Sequence, residues 1–112
     1  MKKFILITGG AGFIGSNLIK YLLKKNKGNI ISIDNYSSGS KKNHIKNKNV
    51  KYIKGENLNI SKILEKYRNK IKVIYHFGEF SRIYQSFLQY EKCIKYNING
   101  SFEVIKFATK KK

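Results

Sequence analysis

Residues Lys3 to Gly15 read KFILITGGAGFIG, and the rest of the chain is arranged around them. Phe4 to Thr8 are five apolar or β-branched residues, too short and too branched a run for a helix and well suited to a buried strand. Gly9-Gly10-Ala11-Gly12 then turns the chain at once. Phe13, Ile14, Leu18, Ile19, Leu22 and Leu23 follow at helical intervals, which predicts a helix over about residues 13–25. Gly9, Gly12 and Gly15 are spaced three apart, and each has a steric role. One makes the tight turn, one lets backbone approach a phosphate, and one seats the helix close on the strand. The first turn of such a helix leaves N–H groups unpaired, and its dipole favours an anion, so a pyrophosphate suits the place.

The glycine spacing alone does not separate a phosphate cradle from a structural turn. A second feature does. Residues 29–34, NIISID, read as the next parallel strand and end in Asp34, nineteen residues past Gly15. An acid about 20 residues beyond the glycines is placed to bind an adenosine ribose. Its carboxylate accepts from both ribose hydroxyls and repels a 2′-phosphate, which favours the non-phosphorylated dinucleotide.

The chain continues in the same rhythm. Lys24-Lys25-Asn26-Lys27-Gly28 closes the first helix, with Gly28 as its left-handed cap. A polar loop over residues 35–40 leads to a short helical turn over His44 to Lys48. Val50 to Lys54 alternates as a third strand and stops at Gly55. Apolar residues at 60, 63, 64 and 67 predict a helix over Ile60 to Tyr67. Lys72 to Phe77 is a continuous, β-rich fourth strand of the kind covered on both faces. Ser81 to Tyr90 reads as helical, and Glu91 to Lys110 as a long amphipathic helix with apolar residues at 94, 98, 102, 105 and 108. This order predicts an α/β fold: a Rossmann-like, doubly wound parallel sheet with right-handed crossovers, truncated after about four strands and forming one domain over residues 1–112.

Composition sets outer limits. A chain of 112 residues holds at most one domain, too little for a dinucleotide enzyme with its substrate domain. There are 24 Lys+Arg against 6 Asp+Glu, a net charge of +18, which would attract phosphate polymers. The alternative is compositional drift. Only Arg68 and Arg82 are arginine, asparagine is abundant, and lysine and asparagine share A-rich codons. The lysines are scattered and form no stripe with stacking aromatics, so no specific nucleic-acid partner is expected. Cys93, the sole cysteine, precludes an internal disulfide and is expected as a small buried residue on a helix. No apolar run reaches about 18 residues, so no membrane span is expected. The short apolar start lacks a cleavage pattern, and the cytoplasm is the expected compartment.

Four motifs now stand in order: TGGAGFIGSNL at 8–18, DNYSSGS at 34–40, VIYHFGEFSRI at 73–83 and YNINGSFEVIKFA at 96–108. Together they resemble the N-terminal part of extended short-chain dehydrogenase/reductases, and within that family the NAD-dependent nucleotide-sugar epimerases and dehydratases of the UDP-glucose 4-epimerase kind. The resemblance covers essentially the whole chain and implies NAD as cofactor. It implies that Gly9, Gly12, Phe13, Ile14 and Gly15 line the pyrophosphate turn. Asp34 and Asn35 would hold the adenosine ribose, with Ser38 and Gly39 nearby. Glu56 and Asn57 would match an acid-plus-aliphatic pair beside the adenine. Asn57 is polar where the family has an aliphatic, and Leu58 is the alternative one residue on. Phe77, Gly78 and Glu79 would follow the fourth strand, with Glu79 standing where the family has a small residue. Arg82 would reach the phosphates, for which a guanidinium is well shaped. Asn97 would steady the cofactor side of the site.

The family's Tyr-x-x-x-Lys pair and its Ser/Thr, which handle the sugar-hydroxyl proton, lie beyond the next strand, and this chain stops at Lys112. No catalytic residue is therefore assigned. Tyr21 and Lys25 match that spacing, but they sit on the first helix, away from any nicotinamide. His76 reads as a satisfied core histidine and His44 as a loop residue; Tyr75, Tyr84, Tyr90 and Tyr96 read as core or helix-packing residues. No residues have metal-ligand spacing. The expected function is the NAD-binding portion of a nucleotide-sugar epimerase or dehydratase, acting on a nucleotide sugar in the full-length enzyme and pairing as a homodimer through the long C-terminal helices. The alternatives are a stand-alone NAD-binding module and a basic nucleic-acid-binding module.

Overall fold

The computed structural model describes residues 2–80 and 83–110. Four parallel strands, β1 (Phe4–Thr8), β2 (Asn29–Asp34), β3 (Val50–Lys54) and β4 (Ile71–His76), lie in the order β3-β2-β1-β4. β1 is central, pairing Phe4 to Thr8 with Asn29 to Ile33 on one side and with Ile71 to His76 on the other. Successive side chains point to opposite faces, so each strand feeds two cores. Ile5, Ile7 and Ile30 meet Ile19 and Leu22 of α1 (Phe13–Lys24) on one face. Leu6, Ile31 and Ile33 meet Ile60, Leu64, Val104 and Phe107 on the other. Helices on both faces of an all-parallel sheet make the expected Rossmann-like α/β arrangement.

The strand-rich half matches the sequence expectation closely; the later segments depart from it. α1 ends at Lys24, and Asn26, with φ +52°, takes a left-handed position before Gly28 at φ +121°. The short helical turn is a 3-10 turn over Lys41–Asn43, earlier than expected. The Ile60–Tyr67 helix is one α-turn, α2 (Ile60–Ile63), flanked by 3-10 turns at Asn57–Asn59 and Glu65–Lys70. Only Ile60 and Leu64 of that segment are fully buried, too little apolar surface to draw in a longer helix. β4 lies at the end of the strand order, yet Val73 packs into the core on one face and Ile74 into the core on the other, while Tyr75 is 37% exposed.

After β4 come α3 (Ile83–Leu88) and α4 (Tyr90–Cys93), then a π-helical segment (Ile94–Asn99) and α5 (Gly100–Lys110). The long helix is thus one helix with a wide turn inside it. Its buried face is Gly100, Val104 and Phe107; the stripe selected by periodicity, Ile94, Ile98, Phe102 and Ile105, is exposed. Tyr84 and Tyr90 are exposed as well, not core residues. Cys93 is half-buried, and its Sγ accepts from Asn97 Nδ2 at 3.4 Å. Among the described residues no helix is long and apolar enough to cross a membrane.

Candidate functional site

The C-terminal ends of the parallel strands open onto a cavity of about 540 Å³. The glycine turn forms its floor. Gly9 has φ +76°, and a Cβ there would lie 2.8 Å from Gly78 N, so only glycine lets the turn cross so near β4. A Cβ on Gly15 would overlap the Gly9 carbonyl oxygen; its absence is what seats α1 on the turn. Gly12 caps α1 with no side-chain hydrogen bond, and no acid stands in the first turn. The leading N–H groups of α1 are therefore left for a ligand, beside Phe13 and Ile14, which are 83% and 61% exposed.

Asp34 stands at the end of β2 on the cavity wall, and its carboxylate braces two backbone segments. Oδ2 accepts the Ala11 N–H at 3.0 Å and Oδ1 the Tyr36 N–H at 2.8 Å. Each oxygen keeps a second lone pair for a ligand hydroxyl. Asn35, Ser37, Ser38 and Gly39 continue the same wall. Asn57 lines the far side and donates from Nδ2 to Gly78 O at 2.7 Å, so an amide rather than an aliphatic stitches the loop after β3 to the loop after β4. Leu58, the alternative one residue on, is not among the residues that line the cavity.

Phe77, Gly78 and Glu79 close the third wall together with His76 and Phe80. Thr8 orders this loop. Its Oγ1 accepts N–H from both Phe77 and Gly78 at 3.0 Å, which fills its lone pairs. Its own proton then goes to His76 Nδ1 at 2.6 Å. Nδ1 is therefore bare and Nε2 carries the imidazole proton, donated to Ser101 Oγ at 2.8 Å; Ser101 in turn donates to Glu79 Oε1 at 3.2 Å. Burial holds the His76 imidazole below its ordinary pKa, opposed by the Glu79 carboxylate. His76 is fully hydrogen-bonded, as expected, but it borders the cavity rather than the core.

Two expected site residues, Glu56 and Asn97, are off the lining. Glu56 is not on the lining; it accepts from Tyr96 Oη at 3.2 Å, and Tyr96 itself, whose phenol is raised by burial and then by Glu56, faces the cavity. Asn97 clamps the backbone of the lining residue Phe80, accepting its N–H at 2.6 Å and donating to its carbonyl at 2.8 Å, so it touches the cavity wall from behind. Arg82 lies outside the described residues. Gly55 and Ile33, legible in the sequence only as a strand stop and a strand residue, also line the cavity. Among the described residues, the lining contains two carboxylates, Asp34 and Glu79, and no lysine or arginine. Tyr21 and Lys25 stack against each other on the exposed side of α1, 5.9 Å from ammonium to ring centre. Among the described residues, no group of three His, Cys, Asp or Glu gathers as a metal site.

The chain is 40% identical over 104 residues to a dTDP-D-glucose 4,6-dehydratase of Dictyostelium discoideum, an alignment that covers 87% of this chain and 24% of that protein. It superposes on UDP-glucose 4-epimerase of Thermotoga maritima, solved with UDP-glucose, with a TM-score of 0.85 and 28% identity, over 96% of this chain and 34% of that one. It also superposes on the Bordetella bronchiseptica enzyme WbmG, solved with NAD and UDP, with a TM-score of 0.80 and 26% identity, over 95% and 33% of the two chains. The chain thus spans a third or less of the length of the dehydratase and of WbmG, and about a third of the epimerase. The model of the NAD dependent epimerase/dehydratase family matches residues 5–112, and the chain belongs to that family.

Proposed function

We propose that this chain is the NAD-binding portion of a nucleotide-sugar epimerase or dehydratase. One observation carries the reading: the uncapped first turn of α1 and the Asp34 carboxylate face one cavity from adjacent strands. The residues fit the dinucleotide. Gly12 leaves open the space a side chain would fill, with nothing nearer than Gly9 O at 3.4 Å from a Cβ built there. The Gly12 N–H closes the turn on Gly9 O at 3.1 Å, so the N–H groups of Phe13 and Ile14 would hold the diphosphate, and Asp34 with Asn35 the adenosine ribose. Bound NAD would supply the hydride acceptor for oxidation at the sugar's C4. What this chain's own residues do is bind, orient and enclose; proton transfer at the sugar is assigned to none of them. Gly9, Ser38, Gly39, Asn57, Phe77, Gly78 and Glu79 would shape the remaining walls.

The Asp34 carboxylate supports NAD over its 2′-phosphorylated form, because its oxygens already hold two N–H groups and cannot turn away from a second anion. Titration calorimetry with NAD and NADP tests this. NAD binding at least tenfold tighter is expected; absence of NAD binding, or equal affinity for the two, refutes the reading. The reading also assigns the protein to the cytoplasm and pairs it as a homodimer. The exposed Ile94, Ile98, Phe102 and Ile105 stripe supports that pairing. Sedimentation of Ile98→Glu should show the mass of one chain, where the unaltered protein shows two.

A further inference from the structure

The loop after β2 returns over the outside of the glycine turn and grips Ala11 from both sides. Ala11 is fully buried. Its N–H goes to Asp34 Oδ2. Its carbonyl oxygen accepts twice, from the Ser40 backbone at 3.0 Å and from Asn43 Nδ2 at 2.7 Å, which fills both lone pairs. Gly39 allows the approach, since a Cβ there would sit 2.9 Å from the Ala11 carbonyl carbon.

The grip is itself anchored. Asn43 closes a 3-10 turn, its N–H reaching Ser40 O at 3.0 Å while Ser40 Oγ accepts the Lys42 N–H at 3.1 Å. The next residue, His44, lies between two tyrosines: its Nε2 is 2.7 Å from Tyr36 Oη, and its ring stacks on Tyr52 at 3.8 Å and 10°. Tyr36 holds φ +62°, a conformation an aromatic residue rarely adopts, with its N–H tied to Asp34.

We propose that Asn43 is a positioning residue for the diphosphate of the dinucleotide. The peptide plane it pins joins Ala11 to Gly12, the residue from which α1 starts. The same plane carries the Gly12 N–H, bonded to Gly9 O at 3.1 Å; holding it at the Ala11 carbonyl as well fixes where α1 begins, and with it the direction of the Phe13 and Ile14 N–H groups, without any contact between Asn43 and the ligand. An asparagine suits this role, because its amide donates where an aspartate of the same shape would set oxygen against oxygen. The proposal rests on the dinucleotide reading above.

The test compares Asn43→Ala, Asn43→Asp and Asn43→Gln with the unaltered chain. NAD, ADP and adenosine are titrated by calorimetry, and amide exchange at Gly10 to Ile14 is followed without ligand. Loss of one buried hydrogen bond corresponds to about a tenfold effect. NAD and ADP should therefore bind about tenfold more weakly in the Ala and Asp variants, and adenosine within about twofold of the unaltered chain. Exchange at the turn should quicken, and the Gln variant, which keeps a donor, should recover most of the affinity. Should the alanine variant not fold, the Asp and Gln pair decides by the same criteria. Unchanged ADP affinity, equal losses for ADP and adenosine, or unchanged exchange at the turn overturns the proposal while the dinucleotide reading stands. An unaltered chain that binds NAD no better than adenosine overturns both.

Discussion

Replacing Gly12 and Gly15 one at a time should separate binding from folding. A Cβ on Gly15 would overlap the Gly9 carbonyl oxygen and lie 2.9 Å from Gly10 Cα, and both neighbours are backbone. Neither can rotate away, so α1 must lift from the turn. Overpacking of this kind costs about 3 kcal/mol. Alanine's better helix propensity returns about 1 kcal/mol of that. The net loss of about 2 kcal/mol lowers Tm by roughly 8–16 °C in a domain of this size. Gly12 differs in every respect. Its φ of −86° and ψ of −178° suit a β-branched residue, and a Cβ would meet only Gly9 O at 3.4 Å. Gly12→Val loses about 1 kcal/mol as a poorer N-cap. It regains about half of that from a stiffer unfolded chain. Its methyl groups, however, stand where a phosphate oxygen must reach the helix N–H groups. Thermal unfolding by circular dichroism and NAD titration, run on both variants, should give a Tm within about 5 °C of the parent and NAD affinity down at least a hundredfold for Gly12→Val. Gly12→Val binding NAD like the parent, or Gly15→Ala melting with it, would refute the steric assignment.

Three further outcomes follow from contacts described above. Ser32 is buried beneath Gly10, and its Oγ has no hydrogen-bond partner among the described residues; Ser32→Ala should be stabilising by about 1 kcal/mol in denaturant titration, and a loss of that size would mean the hydroxyl is satisfied. Asn97→Leu removes both hydrogen bonds to Phe80 and should cost about 2 kcal/mol, with faster amide exchange at Phe80; unchanged exchange there would sink the clamp. His76 is held below its ordinary value of 6.5, so between its folded pKa and 6.5 the unfolded chain binds more protons. Its contribution to stability is complete above 6.5 and is lost as pH falls through the folded pKa. Urea titrations across that window should show a slope that His76→Gln flattens.

How legible the molecule is from its residues depends on the range of the interaction. β1, the turn and α1 are legible because strand period, glycine spacing and helix period are all local, and the matching fold places Asp34 beside them. Asn57 is half-legible: its position at the cavity follows from family resemblance, but its amide finds Gly78 O only through the sheet. Asn43 leaves no mark in the sequence, since an asparagine in a lysine-rich loop is the commonest of sights and its partner, Ala11, lies 32 positions away. The helix after α3 misleads for another reason. It has two apolar faces, and periodicity ranks the exposed stripe of Ile94, Ile98, Phe102 and Ile105 above the buried Val104 and Phe107.

The wide turn at Ile94–Asn99 has a consequence for how this helix tolerates change. Gly100 N–H reaches back five residues to Lys95 O instead of four, so the helix carries one surplus residue. That surplus acts as a vernier between two orientations demanded separately, Asn97 toward the loop above and Val104 with Phe107 toward the sheet below. Deleting one residue there would restore a regular ladder with no backbone bond lost, yet it would swing one half by about 100° against the other. Either the loop or the core would then come free, so a deletion invisible to helix content would be felt at the cavity.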